Sequence, residues 1–452
     1  MNGKLMFEGN EVVFSFNGSV LDLYLNNGEG VAFLYEQIGS AFHSCQKPLI
    51  SERYEGYTFD NQKVVFYVEK EKYGFNASLD AKNAIFHIFV FKYLFISEDS
   101  RYNNSLIFES TQFHKFLDLI PLCNLTGYGE DVIAKITLNS SLNNVITSFT
   151  YDGIDFSIKT FAKLHSKGKD FDFTPCMSLE GTKCLDETSF LKLTDIFYKI
   201  FSFLFMRRNI FPDAISYYGN NKRYDIHIVK SENYVFEDEN IYSTMSYGFI
   251  CWGALTNIFQ NIFDDFLNDN IYLEYLGGET KSRMRVSFDT VFKYSAFFES
   301  VFTMVYGTGV NHKETSQKIN DELKKLLDDF AAERNNKTKR TVNFLKKQLD
   351  HIALGEKMEK VFDDYSLCLS VIKKDVKLSE KTNEEIAEIC SDTRNATDHG
   401  DKRAKIDSDI ASCFAFLISS CYAMLLKKWG MSDEFISYQL TNLFKVVPLK
   451  KE

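Results

Sequence analysis

The first 174 residues contain short runs in which hydrophobic and polar positions alternate, many of them rich in β-branched and aromatic side chains. This period of two is typical of strands that bury one face. Clusters of Asn, Gly and Asp at residues 26–28 and 151–153 predict turns between strands. The pattern therefore predicts an antiparallel β-rich domain. Its clearest strand-like runs are residues 12–16, 21–25, 63–68, 84–91, 133–138 and 153–158.

The hydrophobic period changes near Asp186, from two residues to the roughly 3.6 residues of an α-helix. A helix is predicted from there to about Arg208, followed by strand-like runs at residues 224–229 and 241–247. From about Trp252 onward the pattern is helical to the end of the sequence. The helices predicted there are residues 253–267, 288–306, 314–332, 337–373, 382–396, 405–428 and 432–445.

Together these patterns predict an α+β protein, with a β-rich N-terminal domain followed by an all-α helical bundle. The expected boundaries are residues 1–185 for the β-rich domain, 186–250 for a mixed connecting region and 251–452 for the helical domain. The composition agrees, because 45% hydrophobic and 25% charged residues are ordinary values for a soluble globular protein.

Charge and cysteine content limit the cellular compartments and the binding partners that are plausible for this chain. The formal net charge is −10, so the field of the whole chain does not attract a nucleic acid, and any RNA requires a local basic patch. Nine scattered cysteines without a C-x-x-C pair indicate a reduced, cytoplasmic interior. Residues 1–9 show no signal peptide.

Residues 410–426 form a run without a single charge. Its 17 residues fall just short of the roughly 20 needed to cross a bilayer, and no second long apolar run exists. We therefore interpret it as the buried helix of a bundle and expect no membrane association, with membrane contact as the alternative.

Lysine and arginine cluster locally in the last 140 residues. Such clusters either form solvated helix faces balanced by Asp and Glu, or form a surface that tracks phosphates. If the second interpretation holds, the candidate RNA-binding residues are Lys339, Arg340, Lys402 and Arg403.

Two other features are expected to carry no chemistry. The loop at residues 307–315 lacks the spacing of a phosphate-binding loop. Four acidic residues predicted on one long helix, Glu356, Glu359, Asp363 and Asp364, are interpreted as a solvated face rather than a metal site. We expect neither a metal site nor a cofactor.

The candidate chemistry lies at residues 394–399, where Arg394 and Asn395 are followed by His399 and then Gly400. RNA can be cleaved without a metal when the 2′-hydroxyl attacks the adjacent phosphate, helped by proton transfer and by a cation for the developing charge. Histidine suits the proton transfer, and the arginine fork matches phosphate oxygens. The amide of Asn395 could orient the imidazole or a 2′-hydroxyl.

Helix geometry limits this hypothesis. Residues five apart on a straight helix differ by about 140°, so Arg394 and His399 meet only if the helix stops or unwinds, as Gly400 suggests. The spacing by itself is a weak signal, and a surface helix end with incidental polar groups stays an alternative. One such set also supplies only one imidazole, whereas a two-fold dimer would supply two.

The segment at residues 394–399, set between two helices of a C-terminal bundle, resembles the R-x4-6-H motif of HEPN domains. In that family a polar residue usually follows the arginine, as Asn395 does here. A β-rich half joined to such a bundle is similar in layout to ApeA-type anti-phage defence proteins.

The resemblance implies a metal-independent endoribonuclease that acts in abortive infection. Arg394 and His399 would carry catalysis with help from Asn395, on an RNA substrate such as transfer RNA or messenger RNA. It also implies a homodimer formed through the helical domain, and a β-rich half that senses a phage-derived trigger or restrains the nuclease. The alternatives are a non-catalytic module that binds RNA or protein, and a membrane-associated effector.

Overall fold

The protein is described by a computed structural model over residues 1–25, 32, 51–68, 75–79, 84–89, 91–99, 104–113, 116–117, 121–126, 133–138, 147–167, 170–208, 210, 212–229, 248–277, 286–307, 312–332, 334–398 and 406–444. The chain divides into two compact units. The first comprises Met1–Tyr198 and Asn209–Met245, and the second comprises Lys199–Arg208 and Ser246–Glu452. The sequence predicted domain boundaries near residues 185 and 250, and these stay a prediction.

The first unit contains the β-structure, and all its strand pairs in the described residues are antiparallel. The strands are β1 (Asn2–Phe7), β2 (Asn10–Phe16), β3 (Leu21–Leu25), β4 (Arg53–Thr58), β5 (Lys63–Tyr67), β6 (Phe75–Leu79), β7 (Ala84–Ile88), β8 (Phe91–Glu98), β9 (Ser105–Glu109), β10 (Pro121–Thr126), β11 (Ile133–Leu138), β12 (Thr147–Tyr151), β13 (Ile154–Lys167), β14 (Asp170–Gly181), β15 (Ala214–Gly219) and β16 (Lys222–Val229).

Within the described residues, fourteen of these strands form one sheet in the order β12-β13-β14-β9-β15-β16-β8-β5-β4-β1-β2-β3-β7-β6, and β10 pairs with β11 separately. The period of two in the sequence has its expected cause: in β1, Leu5 and Phe7 are buried while Lys4 and Met6 face outward. The predicted antiparallel β-rich half is confirmed. The run at residues 84–91, interpreted as one strand, instead joins β7 to the start of β8.

Among the α-helices whose bounds the structure describes, α1 (Glu187–Leu204) comes first in the chain, and the others lie in the second unit. They are α2 (Phe259–Leu267), α3 (Phe288–Tyr306), α4 (Glu314–Ala332), α5 (Asn336–Leu349), α6 (Leu354–Asp364), α7 (Ser366–Asp375), α8 (Asn383–Asp398), α9 (Ser408–Trp429) and α10 (Asp433–Phe444). The predicted helical C-terminal half is confirmed, and α3 and α4 have the bounds that the sequence predicts. The predicted strand at residues 241–247 lies outside the described residues.

One helix prediction was wrong. Residues 337–373 form three helices, α5, α6 and α7, rather than one. At the end of α5, Asn320 of α4 donates a hydrogen bond to Leu349 O (3.1 Å), and Lys324 pairs with Asp350 (2.6 Å). The first bond satisfies a carbonyl that a continuing helix would satisfy itself, and the ion pair holds the residue that follows α5. The hydrophobic period of residues 337–373 does not reveal these contacts, because they come from another helix.

Helix α9 is the core of the second unit, with every residue from Cys413 to Leu426 buried. The Asp407 carboxylate accepts hydrogen bonds from the first backbone N–H groups, and Gly430 ends the helix in the left-handed conformation (φ 108°). The Tyr422 hydroxyl donates to Phe203 O at 2.9 Å and lies 2.7 Å from the Tyr275 hydroxyl. Among the described helices, α9 alone is long and apolar enough to cross a membrane, and most of its apolar stretch is buried inside the second unit.

Candidate active site

Helix α8 carries the described part of the candidate site, and its start is encoded locally. Thr382 and Glu385 form a capping box, in which Thr382 N donates to the Glu385 carboxylate (2.7 Å) and Glu385 N donates to the Thr382 hydroxyl (3.1 Å). The backbone N–H of Thr382 lowers the pKa of Glu385. The side chains of Ile386, Ala387, Cys390 and Thr393 are buried, which fixes the rotation of the helix.

This rotation leaves Arg394 at the boundary between protein and solvent, with 32% of its side chain exposed. Its Nη1 donates to Asp398 Oδ2 at 3.2 Å, one helical turn later, and to Asn395 Oδ1 at 3.4 Å. Asn395 itself is exposed. The guanidinium is thus oriented by two oxygen acceptors, but it is not sealed in the interior.

The helix remains regular up to Asp398, four residues beyond Arg394. Near this end the Thr397 hydroxyl donates to Thr393 O, one turn earlier on the same helix, at 2.7 Å. His399 follows directly and lies outside the described residues. Of the three predicted catalytic residues, the structure therefore describes Arg394 and Asn395, which are neighbours on α8. Lys402 and Arg403 also lie outside the described residues.

Helix α6 packs antiparallel against α8. At one end Asn383 donates to Asp363 (2.8 Å). At the other, a β-carbon placed on Gly355 would lie 3.6 Å from Ser391 Cβ, so glycine permits an ordinary close contact there. Ser391 and Arg394 differ by about 60° around the helix and by one turn along it. Arg394 therefore lies just beyond the N-terminal end of α6.

At the same end of α6, a histidine and a glutamate form a nearly buried hydrogen-bonded pair that the sequence did not reveal. His312 Nδ1 lies 2.9 Å from Glu356 Oε2, and Glu356 Oε1 accepts a hydrogen bond from Lys313 N at 2.6 Å. Both side chains are nearly buried, 9% and 13% exposed. His312 Nε2 is buried and, in the part of the chain that the structure describes, has no hydrogen-bond partner.

The prediction of a solvated acidic face was therefore wrong for Glu356 and Glu359, whose side chains are 13% and 19% exposed, whereas Asp363 and Asp364 are exposed as predicted. Glu356 holds His312, while Glu359 and Asp363 pair with the Lys313 ammonium group. These acidic residues fix the segment before α4 onto α6. The partners are more than 40 residues apart in sequence, so no local motif could have revealed them.

Helix α8 is held on its buried side by α9. The Cys390 thiol is fully buried, and burial raises its pKa well above the usual range, with the neighbouring Cys413 thiol adding to the effect. Both cysteines are free. They are therefore inert packing residues of the bundle and not nucleophiles.

Two further sequence-predicted residues, Lys339 and Arg340, are exposed on α5. Over the residues that the structure describes, no three His, Cys, Asp or Glu side chains come together as a potential metal site. What the described geometry offers is an oriented, accessible guanidinium and a neighbouring amide, which together can bind a phosphate and an adjacent hydroxyl.

Comparison with protein families supports the resemblance seen at residues 394–399. Residues 305–435 match the family model of the Apea-like HEPN domain. No curated protein and no solved structure matches the chain. The matched segment contains Arg394, Asn395 and His399, as well as the pair formed by His312 and Glu356. The resemblance is confirmed for this part of the chain: residues 305–435 form an Apea-like HEPN domain.

Proposed function

We propose that this protein is a metal-independent endoribonuclease whose active site lies at the C-terminal end of α8. HEPN domains are generally ribonucleases, and the matched segment retains both the arginine and the histidine of the R-x4-6-H motif. The observation that carries the proposal is Arg394, which is oriented by Asp398 and Asn395 yet open to solvent.

Each residue of the site has a distinct role in the proposed reaction. Arg394 binds the scissile phosphate and stabilises negative charge on its oxygens as the 2′-hydroxyl attacks. His399 transfers the proton as general acid or base, and Asn395 positions the hydroxyl or the imidazole. Lys339, Arg340, Lys402 and Arg403 hold the flanking phosphates.

The cellular role of this activity is also a proposal. We propose that the protein acts in the cytoplasm during anti-phage abortive infection, cleaving transfer RNA or messenger RNA. A homodimer formed through the helical domain would place two sites together, and a phage-derived trigger would act through the β-rich half. The apolar helix α9 is buried within the second unit, which supports a cytoplasmic rather than a membrane location.

Cleavage of RNA by purified variants tests the proposal. We expect Arg394→Ala and His399→Ala each to lower the cleavage rate by about 100-fold or more, because each removes one part of the transition-state stabilisation. Wild-type cleavage should persist in EDTA. Lys183→Ala, which removes an exposed cation outside the matched segment, serves as the control and should cleave normally.

Three outcomes would contradict this function. Equal cleavage by the wild type and both variants would exclude the proposed site. Loss of wild-type cleavage in EDTA would exclude the metal-independent mechanism. Salt-dependent RNA retention without any cleavage product, under conditions that trigger growth arrest, would favour the non-catalytic binding module instead.

A further inference from the structure

Helix α5 is strongly basic. Its 14 residues include five Lys and Arg and no Asp or Glu. One of these cations is used within the fold, because Lys346 pairs with Asp328 of α4 (2.7 Å). Val342 is 3% exposed, so its burial fixes which side of α5 faces the protein. The helix therefore has one side that packs and another that faces solvent.

The solvent side of α5 carries an aromatic ring among cations. Lys337, Arg340, Phe344 and Lys347 follow one another at spacings of three, four and three residues, so they lie within an arc of about 80°. All four are exposed, and 60% of Phe344 is open to solvent. Val342 lies about 160° from Phe344, on the opposite side of the helix. We call these four exposed residues the basic aromatic face.

The charges of the basic aromatic face are not balanced by carboxylates. In the part of the chain that the structure describes, its three cations form no salt bridge, whereas Lys346 and Lys324 of the same pair of helices both do. On α5, the balance by Asp and Glu that a solvated helix face would show is therefore missing. Such a surface, on a chain whose net charge is −10, attracts a polyanion locally.

The exposed ring indicates which polyanion fits this surface. Unpaired bases of an RNA strand stack on aromatic side chains while neighbouring cations hold the phosphates. A duplex hides the faces of its bases, so it offers nothing for the ring to stack on. An anionic lipid surface requires a broad apolar face, whereas the basic aromatic face holds a single apolar residue, Phe344. Unpaired RNA therefore matches both the ring and the cations.

The basic aromatic face lies close to the candidate active site along the chain. Four residues join Leu349 at the end of α5 to Leu354 at the start of α6, so these two helix ends lie within about 18 Å of each other. Arg394 lies just beyond the start of α6, as the contact of Gly355 with Ser391 shows. A strand of several nucleotides stacked on the face is therefore long enough to extend to Arg394.

We propose that the basic aromatic face binds an unpaired segment of the RNA substrate, with a base stacked on Phe344 and the flanking phosphates held by the three cations. This inference rests on the proposed ribonuclease function and names the form of RNA that the enzyme selects. Arg394 then acts on a phosphate of the same strand, away from the stacked base. Phe344 thus determines specificity and takes no part in proton transfer.

Fluorescence anisotropy with labelled RNA tests the stacking contact. All proteins are full length and carry His399→Ala, so that the RNA is not cut. We expect Phe344→Ala to raise the dissociation constant for single-stranded RNA about tenfold and Phe344→Trp to preserve it, with no change for duplex RNA in either variant. Phe435→Ala is the matched control, because Phe435 is similarly exposed, 58%, on α10. Circular dichroism of each variant establishes that the fold is retained.

The salt dependence of binding separates the ring from the cations. Lys347→Ala should weaken binding to single-stranded RNA and reduce the slope of log affinity against log salt concentration by about 0.7, the equivalent of one phosphate. Phe344→Ala should leave the slope unchanged, because stacking on an uncharged ring releases no counterions. Lys325→Ala removes an exposed lysine of α4 and controls for the general loss of positive charge.

Equal binding of single-stranded RNA by Phe344→Ala and Phe435→Ala would overturn the proposal. So would an equal loss of affinity for single-stranded and duplex RNA in Phe344→Ala, or a loss of binding to phosphatidylserine vesicles while RNA binding is unchanged. Cleavage is measured separately in proteins that retain His399. A protein that binds RNA through Phe344 but cuts none rejects the ribonuclease proposal alone. Normal cleavage, with binding by Phe344→Ala as tight as that of the control, rejects this face alone.

Discussion

At the scale of single residues, the contact of Arg394 with Asp398 is expected to affect stability and RNA binding in opposite directions. The two residues are four apart on one helix face, their atoms are 3.2 Å apart and both side chains are partly exposed, so the pair should contribute about 0.5 kcal/mol or less to stability. The same carboxylate competes with a phosphate for the guanidinium. We therefore expect Asp398→Asn to bind RNA about two- to threefold more tightly, while its free energy of unfolding falls by about 0.5 kcal/mol or less.

The measurement is fluorescence anisotropy with labelled single-stranded RNA, made in a His399→Ala background so that the RNA is not cut. Asp392→Asn is the control, since Asp392 is exposed on the same helix and its substitution changes the net charge equally. Equal tightening in both variants would mean that only net charge matters. Weaker binding by Asp398→Asn would mean that Asp398 orients Arg394 for RNA rather than competing with it.

Residues that act through neighbours in sequence could be predicted, whereas those that act across the fold could not. Arg394 and Asn395 could be proposed from the sequence because they lie in a motif of six residues, at the C-terminal end of a helix that hydrophobic periodicity predicts. The pair of His312 and Glu356 was missed, because the sequence contains no signal for a contact between residues 44 positions apart. Glu356 carries the same charge as the exposed acids around it, and only packing distinguishes it.

At the scale of elements, the C-terminal end of α9 is tied to α2 by one buried carboxylate. Asp265 is 7% exposed and accepts hydrogen bonds from Lys428 Nζ (2.6 Å) and Trp429 Nε1 (2.7 Å). Burial alone would raise the pKa of Asp265, but the hydrogen bond from Lys428, with those from Asn270 and Trp429, outweighs it and lowers the pKa.

Because the pKa of Asp265 is lower in the folded protein than its ordinary value of 3.8, this carboxylate stabilises the fold above that pH. The contribution is lost as the pH falls through the folded-state pKa. We expect Asp265→Asn to lower the free energy of unfolding by about 3 kcal/mol at pH 7, with a difference from wild type that shrinks below about pH 4.

Urea denaturation of both proteins between pH 3 and pH 8 measures this difference. Asp264→Asn is the control, because Asp264 is the exposed neighbour of Asp265 on the same helix. A difference between wild type and Asp265→Asn that is constant over the whole pH range would show that Asp265 does not titrate as its contacts require.

Helix bounds were predicted correctly where local sequence features determine them, and incorrectly where contacts from another helix do. Helices α3 and α4 have strong periodic faces or clear starts, such as the Ser287 cap of α3, and their bounds were predicted correctly. The break between α5 and α6 was missed because bonds from Asn320 and Lys324 on another helix stabilise it. Periodicity shows which face a helix buries, but it does not show which tertiary bonds end the helix.

At the scale of the whole molecule, the sequence predicted the α+β class but not the sheet order. Strands β15 and β16, which follow α1 in the chain, lie between β9 and β8 in the sheet. A period of two fixes which side chains face the core and leaves the choice of neighbouring strand open. That choice depends on contacts between distant residues, such as the pairing of Ile226 with Leu94.

The net charge of the whole chain leads to the last prediction. With a charge of −10, binding to RNA must depend on a few local cations, so the affinity should fall steeply with salt. For single-stranded RNA, the logarithm of the binding constant falls by about 0.7 per neutralised phosphate for each unit of log salt concentration. Adding Arg394→Ala to His399→Ala should therefore reduce the slope by the equivalent of about one phosphate.

Titrations of the full-length variants at several salt concentrations give the slopes, with Lys183→Ala in the same His399→Ala background as the control. The control removes one positive charge from the molecule, so it changes the long-range field as much as Arg394→Ala does. If Arg394 touches the RNA backbone, only its variant loses a phosphate contact. Equal slopes in the two variants would mean that Arg394 acts through the general field, and RNA would then have to be held by other cations.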